Sequence, residues 1–172
     1  MHTHLSAIIV RAMKDPEFKE QLIKDPKQVL AQWNISIPAS SEVTILQQSL
    51  EKVYLVLPHP GVIDKLQSKK EGPKTYNPLE SIIIRAVKDP KFKHELIKNS
   101  KKILERECDI ELPEHCKSEV VEETENKFYI VIPYAPNPGE LSDKELAEIA
   151  AGGSRVYRFI GCLEPFGALG ES

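Results

Sequence analysis

The sequence predicts an α+β fold: two small helix-plus-β-hairpin units in tandem, then a short helix and a flexible C-terminal tail. Three observations carry this. Residues 8–24, Ile-Ile-Val-Arg-Ala-Met-Lys-Asp-Pro-Glu-Phe-Lys-Glu-Gln-Leu-Ile-Lys, recur as residues 82–98, Ile-Ile-Ile-Arg-Ala-Val-Lys-Asp-Pro-Lys-Phe-Lys-His-Glu-Leu-Ile-Lys. In each copy the apolar spacing changes from helical to strand-like. Residues 141–153, Leu-Ser-Asp-Lys-Glu-Leu-Ala-Glu-Ile-Ala-Ala-Gly-Gly, then spell a helix start, a helix body and a glycine stop.

Leu5, Ile8, Ile9, Ala12 and Met13 form the stripe of a first helix. Asp15-Pro16 restarts the chain as a second helix, since Asp caps and Pro at the first helical position sacrifices no hydrogen bond. Phe18, Leu22 and Ile23 make its stripe. Asp25-Pro26 repeats the signal before Val29, Leu30 and Trp33, and Asn99-Ser100 replaces it in the second copy, before Ile103 and Leu104. Pro38 and Pro113 end the helical halves, one residue having been added before Pro113. Short strands are expected at residues 43–46 and 54–57, and at 119–121 and 128–132. The polar stretches 47–49 and 122–126 suit hairpin loops. Two copies are too few for a solenoid, so the chain divides into a first repeat at residues 1–60, a linker at 61–78 and a second repeat at 79–135. The linker is polar and broken by prolines, although Val62, Ile63 and Leu66 suit a short amphipathic turn. Residues 134–139, Tyr-Ala-Pro-Asn-Pro-Gly, are a stiffer linker. Residues 136–153 form a tail with the double glycine, and residues 154–172 a C-terminal segment.

Within the tail, Ser142 and Glu145 read as a capping box and Leu141 with Leu146 as a hydrophobic staple. Leu146, Ile149 and Ala150 share one face, and Gly152 suits the positive-φ position after the helix. The C-terminal segment holds three aromatics, two Arg and two Glu, with glycines concentrated in its second half. A solvated tail is usually more polar.

Composition excludes several classes. The chain has 172 residues, is 41% hydrophobic and 28% charged, and carries a net charge of −3, with the two signs interspersed. Nucleic acid calls for a basic face, and none is evident. No apolar run approaches the roughly 20 residues of a membrane helix. The N-terminal Met-His-Thr-His-Leu-Ser lacks the form of a signal peptide, so a cytoplasmic protein is expected. Three cysteines do not suggest a disulfide framework.

The repeat resembles the nitrile hydratase leader peptide domain. The residues that carry the resemblance are Asp-Pro-x-Phe-Lys-x-x-Leu in both copies, the second Asp-Pro of the first copy, the proline before the strands, and the apolar last strand. That domain is similar to the helical and hairpin part of the nitrile hydratase alpha subunit. It serves as a long leader in proteusins, precursors of ribosomally made, post-translationally modified peptides. Their leaders end in Leu-Ser-x-x-Glu-Leu and a double glycine, as residues 141–153 do. They usually carry one leader domain, whereas here there are two.

The resemblance implies a substrate rather than an enzyme, without a cofactor or metal. Maturation enzymes modify the core peptide at 154–172, and a double-glycine cysteine peptidase of an export transporter cuts after Gly153, between Gly152-Gly153 and Ser154. The core peptide is then exported. Leu141, Glu145, Leu146, Ile149, Phe128 and Ile130 are candidate docking residues for these enzymes. Ser154, Arg155, Arg158, Cys162 and Ser172 are candidate sites of modification. Neither nucleic acid nor membrane insertion is expected. The alternative is a non-catalytic adaptor or binding subunit resembling the hydratase alpha subunit.

Other chemistry is weakly signalled. A hydratase holds its metal through a cysteine-rich claw after the last strand. The corresponding stretches here, Leu-Pro-His-Pro-Gly at 57–61 and Ile-Pro-Tyr-Ala-Pro at 132–136, have no thiolate. Cys108, His115 and Cys116 are near in sequence but lack the fourth ligand of a structural zinc site. His2 and His4 carry no expected role, Trp33 is read as core, and the cap role of Ser142 accounts for its hydroxyl.

Overall fold

The computed structural model describes residues 3–69, 78–135 and 137–150. It is a mixed α and β fold, and the helices that follow Asp15, Asp25 and Asp89 begin where the sequence places caps. Helix α1 spans Thr3–Lys14, α2 Pro16–Lys24 and α3 Pro26–Gln32. The Asp15 carboxylate accepts from the backbone N–H groups of Glu17 and Phe18, both at 3.1 Å, and Asp25 accepts from Gln28 at 3.2 Å. These bonds satisfy donors that a first helical turn leaves open. Strands β1 (Glu42–Gln47) and β2 (Lys52–Leu57) follow, then helix α4 (Pro60–Lys69).

The second repeat gives α5 (Pro78–Lys88), α6 (Pro90–Cys108), β3 (Lys117–Glu122) and β4 (Lys127–Ile132). Asp89 caps α6 as Asp15 caps α2. Helix α6 corresponds to α2 and α3 together, and Asn99, where the first repeat has Asp25, still breaks the helical geometry at φ −128°, ψ 35°. Pro26 removes a backbone donor and fixes φ, whereas Ser100 keeps its donor, so the second copy runs through the break. A 3-10 turn (Pro138–Glu140) leads into α7 (Asp143–Ala150).

The expected strands all form, but the expected hairpins do not. β1 pairs in parallel with β4, from Glu42↔Lys127 to Gln47↔Ile132. β2 pairs in parallel with β3, from Lys52↔Lys117 to Leu57↔Glu122. The connections explain the difference. The two-residue turns of the tightest hairpins need positive φ, and the described non-glycine residues with positive φ are Asn34, Asp109 and Asn137, none in either connection. The connecting residues prolong the parallel ladders instead. Gln48 N–H donates to the Ile132 carbonyl at 2.9 Å, and Glu123 N–H donates to the Leu57 carbonyl at 2.8 Å.

The chain accordingly forms two compact units that do not coincide with the repeats. One comprises Met1–Ser49 with Glu125–Ser172, the other Leu50–Thr124. In the second unit β2 and β3 are joined by a crossover through α4, α5 and α6, the long connection parallel strands require. The first unit is closed by β4 of the second repeat and by α7 of the tail that follows it. Each unit thus takes its leading helices and first strand from one repeat and its second strand from the other, together with the helix that follows that second strand.

The core of the first unit gathers Ile8, Leu22, Leu30 and Val43 with Phe128, Ile130 and Ile132. Trp33 packs at its margin, edge-on to Phe18 with ring centroids 6.4 Å apart. In the second unit Ile82, Ile83, Phe92, Leu96, Ile103 and Leu55 are buried. Arg11 lies over Phe18 at 4.5 Å and Arg85 over Phe92 at 4.0 Å, the same stack in both repeats. The segment read as a linker opens with α4, whose Ile63 is buried, and α4 packs on α5. Residues 70–77 lie outside the described part. Among the described residues no helix is long and apolar enough to cross a membrane.

Candidate functional site

The sequence placed the functional burden on the tail, and the structure describes it as far as Ala150. Asn137, at φ 48°, turns the chain into the 3-10 turn ahead of α7. The capping box forms as expected. Ser142 N–H donates to Glu145 Oε2 at 2.8 Å, and Glu145 N–H donates to Ser142 Oγ at 3.2 Å. These bonds to Ser142, its backbone N–H first, hold the Glu145 carboxyl below its ordinary value.

Helix α7 packs against α1 within the first unit. Leu146 of α7 has 0% of its surface exposed. Asp143 forms an ion pair with Lys14 of α1. Beside this contact lies an open groove of about 560 Å³, lined by Ala7, Val10 and Lys14 of α1 and by Asp143 and Ala147 of α7. Helix α1 thus has two used sides: Ile8 and Ala12 enter the core, and Lys14 meets α7.

Other predicted docking residues are also inside. Phe128 and Ile130 are core residues of β4. Leu141 is half-buried, Glu145 is exposed, and the Ile149 side chain lies outside the described part. Gly152, Gly153, Ser154, Arg155, Arg158, Cys162 and Ser172 also lie outside it. Sequence reasoning missed the α1 surface that receives α7 and the parallel role of α4 on α5. A signal was present: residues 63–66, Ile-Asp-Lys-Leu, and 142–146, Ser-Asp-Lys-Glu-Leu, both set Asp-Lys ahead of a leucine.

Among the described residues, neither Cys108 nor Cys116 shows activated chemistry. Burial, with the Glu107 charge, pushes the Cys108 thiol up to about 11. Burial also raises the Cys116 thiol, which packs beside Val53 and Leu112. His115 is exposed.

No protein-family model matches the chain, and no curated protein does. Solved structures do. An Fe-type nitrile hydratase double mutant from Comamonas testosteroni Ni1 superposes with a TM-score of 0.59 at 19% identity, over 87% of this chain and 68% of that one. A thiocyanate hydrolase mutant gives 0.59 at 19% identity, over 94% and 74%. The fold is nitrile-hydratase-like. A recombinant thiocyanate hydrolase with partially modified cobalt centres gives 0.57, also at 19% identity, over 94% and 73%.

The nitrile-hydratase-like fold raises the question of such a metal centre. The stretches after β2 and β4 contain no cysteine, and the His59 Nδ1 accepts from the Gly61 N–H at 3.3 Å. Among the described residues no three His, Cys, Asp or Glu side chains group together. This donor set does not fit an iron or cobalt centre, for which thiolate or clustered imidazole is the usual ligand.

Proposed function

We propose that the protein is the precursor of a ribosomally made, post-translationally modified peptide. Residues up to Gly153 are its leader and residues 154–172 its core peptide. The observation that supports this is the capped helix α7, which closes the described fold three residues before the Gly153–Ser154 bond. A nitrile-hydratase-like fold bearing Leu-Ser-x-x-Glu-Leu and a double glycine matches the leader architecture that the sequence resembles.

The leader acts by tethering. A core peptide attached to a docked leader is presented to a modifying enzyme at an effective concentration of around millimolar, so weak recognition of the core suffices. A cysteine peptidase then cuts after Gly153. Glycine at both preceding positions lets the backbone enter a cleft that a Cβ would obstruct. In this reading the chain is a substrate without catalytic residues. Cys162 offers one thioether to dehydrated Ser154 or Ser172, and Arg155 and Arg158 are substrates for side-chain conversion. After the cut, the core peptide leaves through the peptidase's transporter.

The test is intact mass after incubation with a double-glycine cysteine peptidase. A single cut between Gly153 and Ser154 is the expected result, and the core mass from the native host then identifies the modification. A Gly153–Ser154 bond that resists, in the full chain and in a peptide of residues 141–172 alike, overturns the reading. The second reading, a binding subunit without metal, draws on the likeness to hydratase subunits and would then take its place.

A further inference from the structure

The structure buries one predicted docking residue, Leu146, within the leader's own fold. Leu146 has 0% exposure, its helix is ion-paired to α1 through Asp143 and Lys14, and only Ala151 separates the end of α7 from Gly152. Taking residues 152–154 as the cleavage site, as the proposed function does, we propose that the α1 surface formed by Ala7, Val10 and Lys14 is a binding site for α7. A peptidase must take α7 from that surface before it can cut.

Reach sets the requirement. A protease that takes its substrate as an added strand needs several extended residues on each side of the bond. Those on the leader side here are Gly153, Gly152, Ala151 and then the last turn of α7. While α7 is docked, that turn is helical. Helix α7 has eight residues, and isolated helices shorter than about 12–15 residues are marginal in water. Its helicity therefore rests on the capping box and on α1 together, and release from α1 is release into an extended chain.

The partner's chemistry follows from what it displaces. It must offer an apolar pocket for Leu146, buried in the fold, and a cationic group for Asp143 in place of Lys14. Re-exposing Leu146 makes the open state a minority of roughly one part in 10 to 100. The core peptide is thus kept on the leader until a partner captures the open state. Helix α4 on α5 provides the internal comparison: it packs on the equivalent helix of the other unit, and no double glycine follows it.

The experiment compares cleavage rates of the full chain, its Lys14→Glu and Ala7→Glu variants, and a peptide of residues 141–172, with one double-glycine cysteine peptidase. Both variants leave α7 and the cleavage site unchanged. Lys14 is exposed, so its variant is expected to fold, and thermal melting checks each. The peptide should be cut roughly 10- to 100-fold faster than the full chain. The variants should fall between, with amide exchange across 143–150 rising in step. Equal rates for peptide and full chain overturn the latch, as does faster exchange in the variants without faster cutting. A peptide that is itself not cut overturns the assignment of the site, and the latch with it.

Discussion

At the scale of single residues, adjacent positions on α2 separate what is structural from what is not. Leu22 has no exposed surface, whereas its neighbour Ile23 is 44% exposed. Leu22→Ala should lose about 2–5 kcal/mol through the lost burial and the cavity left behind. Ile23→Ala should stay within about 0.5 kcal/mol. Trp33 is the sole tryptophan and packs on Phe18 in the same unit, so urea unfolding followed by its fluorescence measures both. The cysteines give a second residue-scale prediction. The thiolate is the reactive form, and Cys108 titrates near 11 in the fold. Alkylation of Cys108 by iodoacetamide at pH 7 should be slow in the folded chain and accelerate on denaturation. In the folded chain its rate should still be climbing at pH 9. Peptide mapping by mass spectrometry reads each site.

Among the elements, α7 shows most clearly how a local motif and a tertiary contact share one helix. The Glu145 carboxyl is depressed by its bonds to Ser142. Its stabilising contribution is therefore present above its unfolded value of 4.5 and is lost as pH falls through the lower folded value. Amide exchange in α7, corrected for its intrinsic pH dependence, should accelerate as pH is lowered below that range. Glu145→Gln keeps a side chain that can reach the Ser142 N–H but should abolish the pH dependence. The capping box was legible because both partners lie within one turn, and the Asp-Pro starts were legible for the same reason. The helical stripes and all four strands could likewise be read from their periods. Strand pairing could not. Val53 and Leu55 in the first repeat match Phe128 and Ile130 in the second, so a first strand finds the same apolar alternation in either copy. What decides the pairing is the backbone of two four-residue connections, Gln48–Glu51 and Glu123–Asn126, which side-chain patterns do not report. The site divides the same way. The composition of α7 announced a docking face, but not that α1 already occupies it.

For the whole molecule, the exchange of strands means that neither repeat holds a complete unit. The boundaries of the compact units fall at residues 49–50 and 124–125, equivalent places in the two copies, while the chain between the repeats runs elsewhere, through residues 61–78. A protease site placed within residues 70–77 and cut in the purified protein should therefore leave two fragments that stay associated. Each unit contains parallel pairs contributed from both sides of the cut. Size-exclusion chromatography should show one peak at the position of the intact chain, and urea should split it. Two separate peaks without denaturant would mean that the cross-repeat pairs are not what holds the units together.

The order in which synthesis delivers these parts gives the exchange a further meaning. Domains generally fold as units while the chain emerges from the ribosome. The unit from Leu50 to Thr124 is contiguous and can close while translation continues. The unit that begins at the N-terminus must wait, its helices and β1 already made, until β4 and α7 arrive. Until then the faces of Ile8, Leu22 and Val43 lack Phe128 and Ile130. A chain that stalls before β4 would carry that open face, the kind of transient apolar surface that invites aggregation and chaperone capture. Closure of the first unit thereby follows synthesis of β4: its core is complete only in a chain translated through Ile132.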